Sequence, residues 1–152
     1  MSDLPLAEIT LRKYETPNNL GRRELAKKIC LSFGLLQPGD SRDVIADILM
    51  VLIDAKEKKE AIDTEEIKKR VIDSRRAASC EEKGVADSNI RRQLRRLKDL
   101  MLVESTGNNY RITEFESLEK LFEEKIERFL IPSIVSRVRE YLKAVDGNAS
   151  NK

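Results

Sequence analysis

The chain has 152 residues, of which 40% are hydrophobic, 37% charged and 5% aromatic, and its formal net charge is +2. The apolar fraction is too high for a disordered chain, and the length suits one domain with an appended arm. Without histidine or a CxxC pair the sequence predicts no metal site, and residues 44–53, its longest apolar run, fall far short of the roughly 20 residues of a membrane span. We therefore expect no metal, no membrane contact and, since no signal peptide precedes the chain, a cytoplasmic location.

Residues 1–40 are predicted to form an N-terminal helical extension. Its helix, residues 20–33, has apolar side chains at helical spacing, and Gly34 is expected to end it in a left-handed conformation. Asp40 or Ser41 is expected to cap the helix that follows. The apolar positions of the first helix are Leu25, Ile29 and Phe33, with Ala26 and Cys30 beside them.

A second helix is predicted for residues 42–57. It is apolar on nearly every side through residues 44–53, which indicates that neighbouring elements surround it. Residues 61–63 supply a minimal edge strand, and Asp63 or Thr64 is expected to cap a third helix. The apolar face of this third helix is predicted to carry Ile67, Val71 and Ala78.

A fourth helix, from Asp87 or Ser88 to about residue 101, has a regular apolar ladder at i, i+4, i+7 and i+11. The ladder consists of Ile90, Leu94, Leu97 and Met101. A hairpin with strands at residues 102–105 and 110–113 is predicted to follow. Gly107 at the first central position of its turn suits a type II′ geometry.

Residues 114–145 are predicted to form two C-terminal amphipathic helices, with Pro132 either interrupting them or starting the second. The second helix of the chain already has two helices and a hairpin to cover it, so these extra stripes indicate self-association as a homodimer. Residues 146–152 are expected to be a disordered tail. The stripes are Phe115, Leu118, Phe122, Ile126 and Phe129, then Ile134, Val138, Tyr141, Leu142 and Val145.

The order helix, short strand, helix, helix and hairpin over residues 41–113 resembles the winged helix-turn-helix. The sequence GVADSNIRRQLRRLKDLMLVE at residues 84–104 carries the resemblance, since it is similar to the recognition helix and first wing strand of prokaryotic and archaeal winged-helix transcription regulators. The resemblance implies a mainly α, α+β fold with a short β-hairpin wing, and binding of double-stranded DNA. The long connection before residue 87 departs from the compact motif, so either the third helix continues to about Ala78 or the turn is expanded.

The fourth helix is the candidate DNA-binding element because charge is segregated along the chain. Residues 84–98 hold five basic residues against Asp87, a net charge of +4, whereas residues 114–128 hold six glutamates against three basic residues, a net charge of −3. A merely solvated face would interleave acidic partners with the arginines, and none occurs between Ile90 and Lys98. Guanidinium groups bind phosphate and the guanine edge, so nucleic acid is the favoured partner.

The predicted contacts divide by their position along this helix. Ser88, Asn89 and Arg92, in its N-terminal half, are expected near base edges. The other arginines of the helix, Arg91 included, and the wing are expected to hold phosphates. Arg111 on the hairpin is a lone charge that we expect to face solvent, where it can also reach phosphate. The full set of predicted contacts is Ser88, Asn89, Arg91, Arg92, Arg95, Arg96, Lys98 and Arg111.

A second basic cluster lies on the third helix. Glu65 and Glu66 precede it at helical spacing, so ordinary ion pairing explains part of the cluster and contact with a nucleic-acid backbone is an equal alternative. The cluster is Lys68, Lys69, Arg70, Arg75 and Arg76.

The sequence carries no enzyme signature and implies no cofactor. The six glycines are scattered, so there is no phosphate-binding loop, and catalytic triads need a base that this chain lacks. The alternative to a homodimeric transcription regulator is a winged-helix interaction module of a replication, segregation or transcription complex, whose basic face meets an acidic protein. RNA binding is a third reading, disfavoured by the scarcity of aromatic side chains for stacking. The pattern identifies no small-molecule effector.

Overall fold

The elements follow the predicted order. The computed structural model describes residues 3–150, with side chains to residue 148. Helices α1 to α4 span Arg22–Ser32, Val44–Glu57, Thr64–Ala77 and Asp87–Asp99, and strands β1 to β3 span Ile62–Asp63, Val103–Thr106 and Asn109–Ile112. A 3-10 turn at Thr113–Phe115 leads to α5 (Leu118–Leu121), a π-helical segment (Phe122–Leu130) and α6 (Ile131–Ser150). The predicted mainly helical α+β class is confirmed.

Helix α2 lies at the centre of the hydrophobic core. Ile48, Leu49 and Leu52 on this helix are fully buried, which confirms that its neighbours surround it. Helices α1, α3 and α4 and strand β3 pack against it. Helix α1 buries Ala26 and Cys30 in the same core, so the predicted N-terminal extension packs onto the body of the protein.

The three strands form one antiparallel sheet in the order β1-β3-β2. The short strand β1 pairs with β3 through Ile62 opposite Tyr110. Thr106 lies opposite Asn109, which leaves a two-residue turn between β2 and β3. Gly107, its first residue, has φ +61°, a left-handed conformation that glycine adopts without strain and that fits the predicted turn.

The helix caps are partly as predicted. Asp63 accepts a hydrogen bond from the Glu66 amide at 2.8 Å and so caps α3. Helix α2, however, begins at Val44 with Asp43 before it, so the expected caps two and three residues earlier are wrong. Asp40 instead accepts a hydrogen bond from the Arg42 amide at 3.2 Å, which closes the turn ahead of the helix.

Three positions assigned to apolar faces lie outside the core, each for a local reason. Leu25 is 37% exposed because α1 turns Ala26 and Cys30 towards α2 instead. Ala78 comes after the last residue of α3, and Arg75 takes its place on the buried face. Met101 follows the end of α4 with φ +63°, so the apolar ladder of that helix ends at Leu97.

The C-terminal region is one continuous helical run from residue 118 to residue 150. Pro132 lies in the first turn of α6, and the backbone at Ile131 is helical (φ −61°, ψ −49°), so the proline does not interrupt the run. The predicted stripe is confirmed at Ile126, which is buried, and at Leu118, which packs partly buried against the core, and Leu121, which was not predicted, is buried as well. Phe129, expected on that stripe, is 69% exposed.

Two further predictions concern the two ends of this region. Phe115 belongs to the 3-10 turn with φ +53°, ahead of the helix it was expected to join. Residues 146–150 of the predicted tail continue α6 in the structure, and residues 151–152 lie outside the described part. None of the helices described is long and apolar enough to cross a bilayer.

Candidate nucleic-acid interface

Helix α4 presents one buried and one exposed face. Ile90, Leu94 and Leu97 are fully buried, and they fix the helix against α2, α3 and β2. The opposite face is solvent-exposed, as the spacing predicted. Its exposed side chains are Ser88, Arg91, Arg92, Arg95 and Lys98, and the acidic Asp87 and Asp99 are exposed at the two ends of the helix.

Three arginines of this face form no salt bridge, although Asp87, one turn before Arg91, interacts with it electrostatically. Arg91, Arg92 and Arg95 form no ion pair with any residue in the described part of the chain. Arg92 donates one hydrogen bond, to the side-chain oxygen of Asn89 at 3.0 Å. The guanidinium groups therefore remain available to an anionic ligand, and we call these three residues the α4 arginine face.

Asn89 is placed differently from the prediction that it lies near base edges. Its amide nitrogen donates to the Gly84 carbonyl at 2.7 Å, and its oxygen accepts from both Arg92 and Gln93 at 3.0 Å. Gly84 has φ +80°, and a Cβ there would lie 3.2 Å from that amide nitrogen. The half-buried Asn89 thus holds the loop before α4 and orients Arg92, and its side-chain oxygen already accepts two hydrogen bonds.

Arg96 was predicted as a phosphate contact, but its side chain is half-buried. It donates to Gln93 at 2.9 Å and lies close enough to the buried Cys30 to favour that thiol's ionised form electrostatically. Lys98 reaches the hairpin, where its ammonium group donates to the Ser105 hydroxyl at 2.9 Å. Arg96 and Lys98 therefore make contacts within the protein, so fewer basic side chains of α4 are free to bind a ligand than the sequence predicted.

Arg111 is not the lone exposed charge that the sequence suggested. It is half-buried and pairs with Glu104 on the neighbouring strand at 2.6 Å, directly opposite in the β2–β3 register. Its guanidinium carbon also lies 4.7 Å from the centre of the Phe115 ring. The Glu114 amide and Arg111 both bond the Glu104 carboxylate and hold its pKa below the ordinary value despite partial burial.

Two basic residues that were not among the predicted contacts lie beside the α4 arginine face. Arg42 and Lys83 line a cavity of about 600 Å³ together with Ser88, Asn89 and Arg92. They come from the turn before α2 and from the loop before α4, so only the tertiary fold brings them to this helix. Lys83 has a weak competing partner, Glu81 at 3.1 Å, and both side chains are more than 70% exposed.

A buried ionic cluster fixes the elements behind α4. The carboxylate of Asp47, in the middle of α2, is fully buried and pairs with Arg23 from α1 and with Arg75 from α3, the latter at 2.6 Å. Arg75 also contacts Asp43 at 2.9 Å and donates to the Glu81 carbonyl at 2.5 Å. The cluster therefore ties three helices to the loop that leads into α4.

Ion pairing inside this cluster shifts the pKa values of Asp43 and Arg75 in the direction opposite to the effect of burial. Burial alone would raise the pKa of Asp43, but hydrogen bonds from Arg75 and Lys27 lower it below its ordinary value. Burial would likewise lower the pKa of Arg75, and its two carboxylate partners raise it instead. Asp43 and Arg75 are therefore held in their charged forms, and Arg75 is unavailable to an external anion.

The basic cluster of α3 is mostly neutralised. Lys68 pairs with Asp87 at 2.9 Å, Arg70 pairs with Glu60 and Glu66, and Arg76 pairs with Glu82. Lys69 alone of this cluster is exposed without an ion pair among the described residues. Ion pairing thus accounts for the cluster, and a nucleic-acid role for it has no structural support.

Neither cysteine lies in a reactive arrangement. Burial raises the pKa of the Cys30 thiol to about 12, which fits an inert core side chain. The Cys80 sulfur is half-buried and lies 3.7 Å from the Ala78 carbonyl. Among the described residues, no three His, Cys, Asp or Glu side chains converge as metal ligands.

Comparison of the chain with protein-family models, with curated proteins and with solved structures finds no match. The geometry and the charge of the α4 arginine face are therefore the basis for its function.

Proposed function

We propose that this protein binds double-stranded DNA through α4, as a cytoplasmic transcription regulator of the winged helix-turn-helix type. The α4 arginine face carries the proposal, because three exposed guanidinium groups lie within five residues and form no salt bridge among the described residues, although Asp87 interacts electrostatically with Arg91. Like charges at this spacing destabilise a helix unless an anion compensates them. The phosphate backbone of DNA is such an anion, and it attracts clustered arginines before any base is read.

The order of the elements supports the winged-helix reading. Helices α2, α3 and α4 enclose a core that a three-stranded antiparallel sheet completes, with β1 inserted between α2 and α3. Helix α3 continues to Ala77, as one of the two predicted alternatives has it, and residues 78–86 form an expanded connection to α4, as the other has it. The ionic cluster around Arg75 and the Asn89–Gly84 bond give this long connection a defined course.

In the proposed complex α4 lies in the major groove. Ser88 and Arg92, in its N-terminal half, face base edges, and Arg91 and Arg95 hold phosphates on either side. Arg42 and Lys83 extend the positive surface across the cavity beside Arg92. Residues 106–109 of the hairpin turn are exposed, which suits a wing that follows the adjacent backbone.

The test is DNA binding by the full chain, measured by fluorescence anisotropy on random duplexes from 50 to 200 mM salt. Replacing Arg91, Arg92 and Arg95 by alanine should weaken binding and flatten the dependence of log K on log salt by about 0.9 for each phosphate that the variant no longer neutralises. The matched control replaces Lys69, Arg70 and Arg76 on α3 by alanine, which removes the same formal charge. We expect the control to keep most of the affinity, since two of its three cations are already paired.

Equal losses in the two triple variants would contradict an interface on α4 and indicate attraction by net charge alone. Selection of bound fragments from a random duplex library then tests sequence specificity, and a recovered motif supports the regulator role. Failure of the unaltered chain to bind duplex DNA, combined with salt-sensitive binding to an acidic protein, would favour the interaction-module alternative. Preference for RNA of the same sequence over the DNA duplex would favour the third reading.

A further inference from the structure

Helix α6 carries an exposed apolar face. Its main contact within the chain is with the π-helical segment that precedes it, so most of its length extends away from the core. Val138 is 52% exposed, Tyr141 72% and Leu142 57%. Burial of such side chains stabilises by about 25 cal/mol per Å² of apolar area removed from water, so this face favours a covering partner.

The spacing of the apolar residues on α6 is that of a seam between two helices. Positions 131, 134, 138, 141 and 145 alternate steps of three and four residues, and all are apolar or aromatic. This alternation keeps a stripe facing a single neighbouring helix over its whole length. Val135 and Leu142 lie beside the seam and widen it, whereas Ser136 lies on the opposite side of the helix.

A second segment, from the other end of the chain, enlarges this apolar surface. Residues 3–7 run beside α6, and together with Ile134, Val138 and Tyr141 they line an open cavity of about 650 Å³. Leu4 and Leu6 in this segment are 76% and 94% exposed. The unpartnered surface therefore consists of the α6 seam and the N-terminal leucines next to it.

We propose that this surface pairs with the same surface of a second copy of the chain. At ordinary side-chain areas the exposed parts of Leu4, Leu6 and the five exposed apolar residues of α6 amount to on the order of 800 Å², the area that each partner contributes to a standard specific interface. A seam of uniform 3–4 spacing is self-complementary, as a two-fold interface requires. The inference does not depend on DNA binding, because none of its residues belongs to the α4 arginine face.

The charges flanking the seam also fit a second copy of the chain. Arg137 pairs with Glu140 on the same helix at 2.8 Å, and the exposed side of α6 carries both signs of charge. An amphipathic helix that lies on an anionic membrane is instead rich in lysine and arginine along its polar face. A mixed polar side around an apolar seam is typical of paired helices.

Sedimentation equilibrium on the full chain tests this pairing. The unaltered protein should sediment at about twice 17.4 kDa, and Val138→Glu should sediment as a monomer, because it places a charge in the middle of the seam. Ser136→Glu is the matched control: it adds the same charge to the same helix on the opposite side and should leave the dimer intact. Circular dichroism of both variants should match the parent, since both positions are exposed.

The N-terminal contribution has its own variant. Replacing Leu4 and Leu6 by serine should raise the dimer dissociation constant about ten-fold or more while α6 is unchanged. A parent chain that stays at 17.4 kDa throughout the micromolar range would overturn the proposal. Equal dissociation of the dimer by Ser136→Glu and Val138→Glu would overturn it as well. A monomer that pellets with anionic vesicles would overturn it too, in favour of a lipid surface.

Discussion

Helices α3 and α4 carry five basic residues each, yet the two sets have different surroundings. On α3, four of the five form ion pairs with carboxylates, and Arg75 is almost completely buried in doing so. On α4, no basic side chain forms an ion pair with a described residue, and three arginines are exposed side by side. The same local composition is therefore mostly paired on one helix, with one arginine buried, and leaves a positive surface on the other.

The difference lies in where the acidic residues come from. The carboxylates that neutralise α3 come from α3 itself, from the segment before β1, from α2 and the residue before it, from the loop before α4 and from the first residue of α4. The most distant in sequence is 32 residues away. Around α4, the surrounding elements contribute further cations, Arg42 and Lys83. A run of basic residues thus predicts an anion-binding surface only after the charges of the neighbouring elements have been placed.

Removing a charge from the buried cluster should have the largest effect. Arg75→Met leaves the carboxylates of Asp43 and Asp47 buried with fewer partners, and breaking a buried ion pair in this way costs about 3–5 kcal/mol. The measurement is the free energy of unfolding from urea denaturation, with Lys69→Met on the exposed side of α3 as the control. Since the loss is comparable to the total stability of a small domain, Arg75→Lys is the second variant, and it should lie between the two. Equal stabilities for Arg75→Met and Lys69→Met would contradict the proposed role of the cluster.

The next largest effect concerns Asp43 and depends on pH. Its folded-state pKa is lowered, so its contribution is present above the ordinary value of 3.8 and is lost as the pH falls through the folded value. Asp43→Asn should therefore cost about 1.5–3 kcal/mol at pH 7, the range for hydrogen bonds to charged groups. The same substitution should cost progressively less as the pH falls below about 3.8. A deficit that stays constant from pH 7 to pH 2 would show that ionisation of Asp43 does not matter.

Much of this comparison is visible in the sequence, and its limits have physical causes. The apolar ladder of α4 through Leu97 and the turn at Gly107 follow from local spacing and were predicted. The pairing of Arg111 with Glu104 was also within reach, since counting back from a two-residue turn places them opposite each other. The pairing of Asp47 with Arg75 could not be predicted, because Arg75 lies 28 residues away and is positioned by tertiary packing alone. Asp47 did leave a signal, since a carboxylate within an otherwise apolar helix requires a buried cation.

The C-terminal region marks a different limit. Spacing of 3.6 residues correctly predicted the burial of Ile126, but it also placed Phe129 on the stripe and left Leu121 off it. The chain is π-helical over Phe122–Leu130, where Phe129 is exposed, and Leu121 just before it is buried. Propensities for regular helices carry no signal for such a segment, because π-helix is rare. Beyond it the ordinary period returns, and the predicted stripe of α6 is observed as an exposed face.

Single substitutions on the α4 arginine face should distinguish base contacts from phosphate contacts. Arg92→Ala should cost about 1–3 kcal/mol of binding to a selected sequence if this residue reads a base, and less on random duplexes. Arg95→Ala should weaken binding to all sequences about equally and flatten the salt dependence. Both variants should unfold at the parent's urea concentration, because both side chains are exposed. If Arg92→Ala lowers affinity equally for selected and random duplexes, its role is phosphate contact alone.

The smallest effect is expected where α3 carries a charge that is paired but partly exposed. Arg70 lies between Glu60 and Glu66, at 3.1 and 2.8 Å, with about a third of its side chain accessible to solvent. Its two carboxylates raise its pKa, yet solvent and salt screen such pairs, so Arg70→Gln should cost only about 0–1 kcal/mol of stability. Duplex affinity should change little, because the carboxylates already neutralise this cation in the free protein. A loss of affinity as large as that of Arg95→Ala would mean that α3 contacts DNA despite its ion pairs, and the distinction between the two helices would fail.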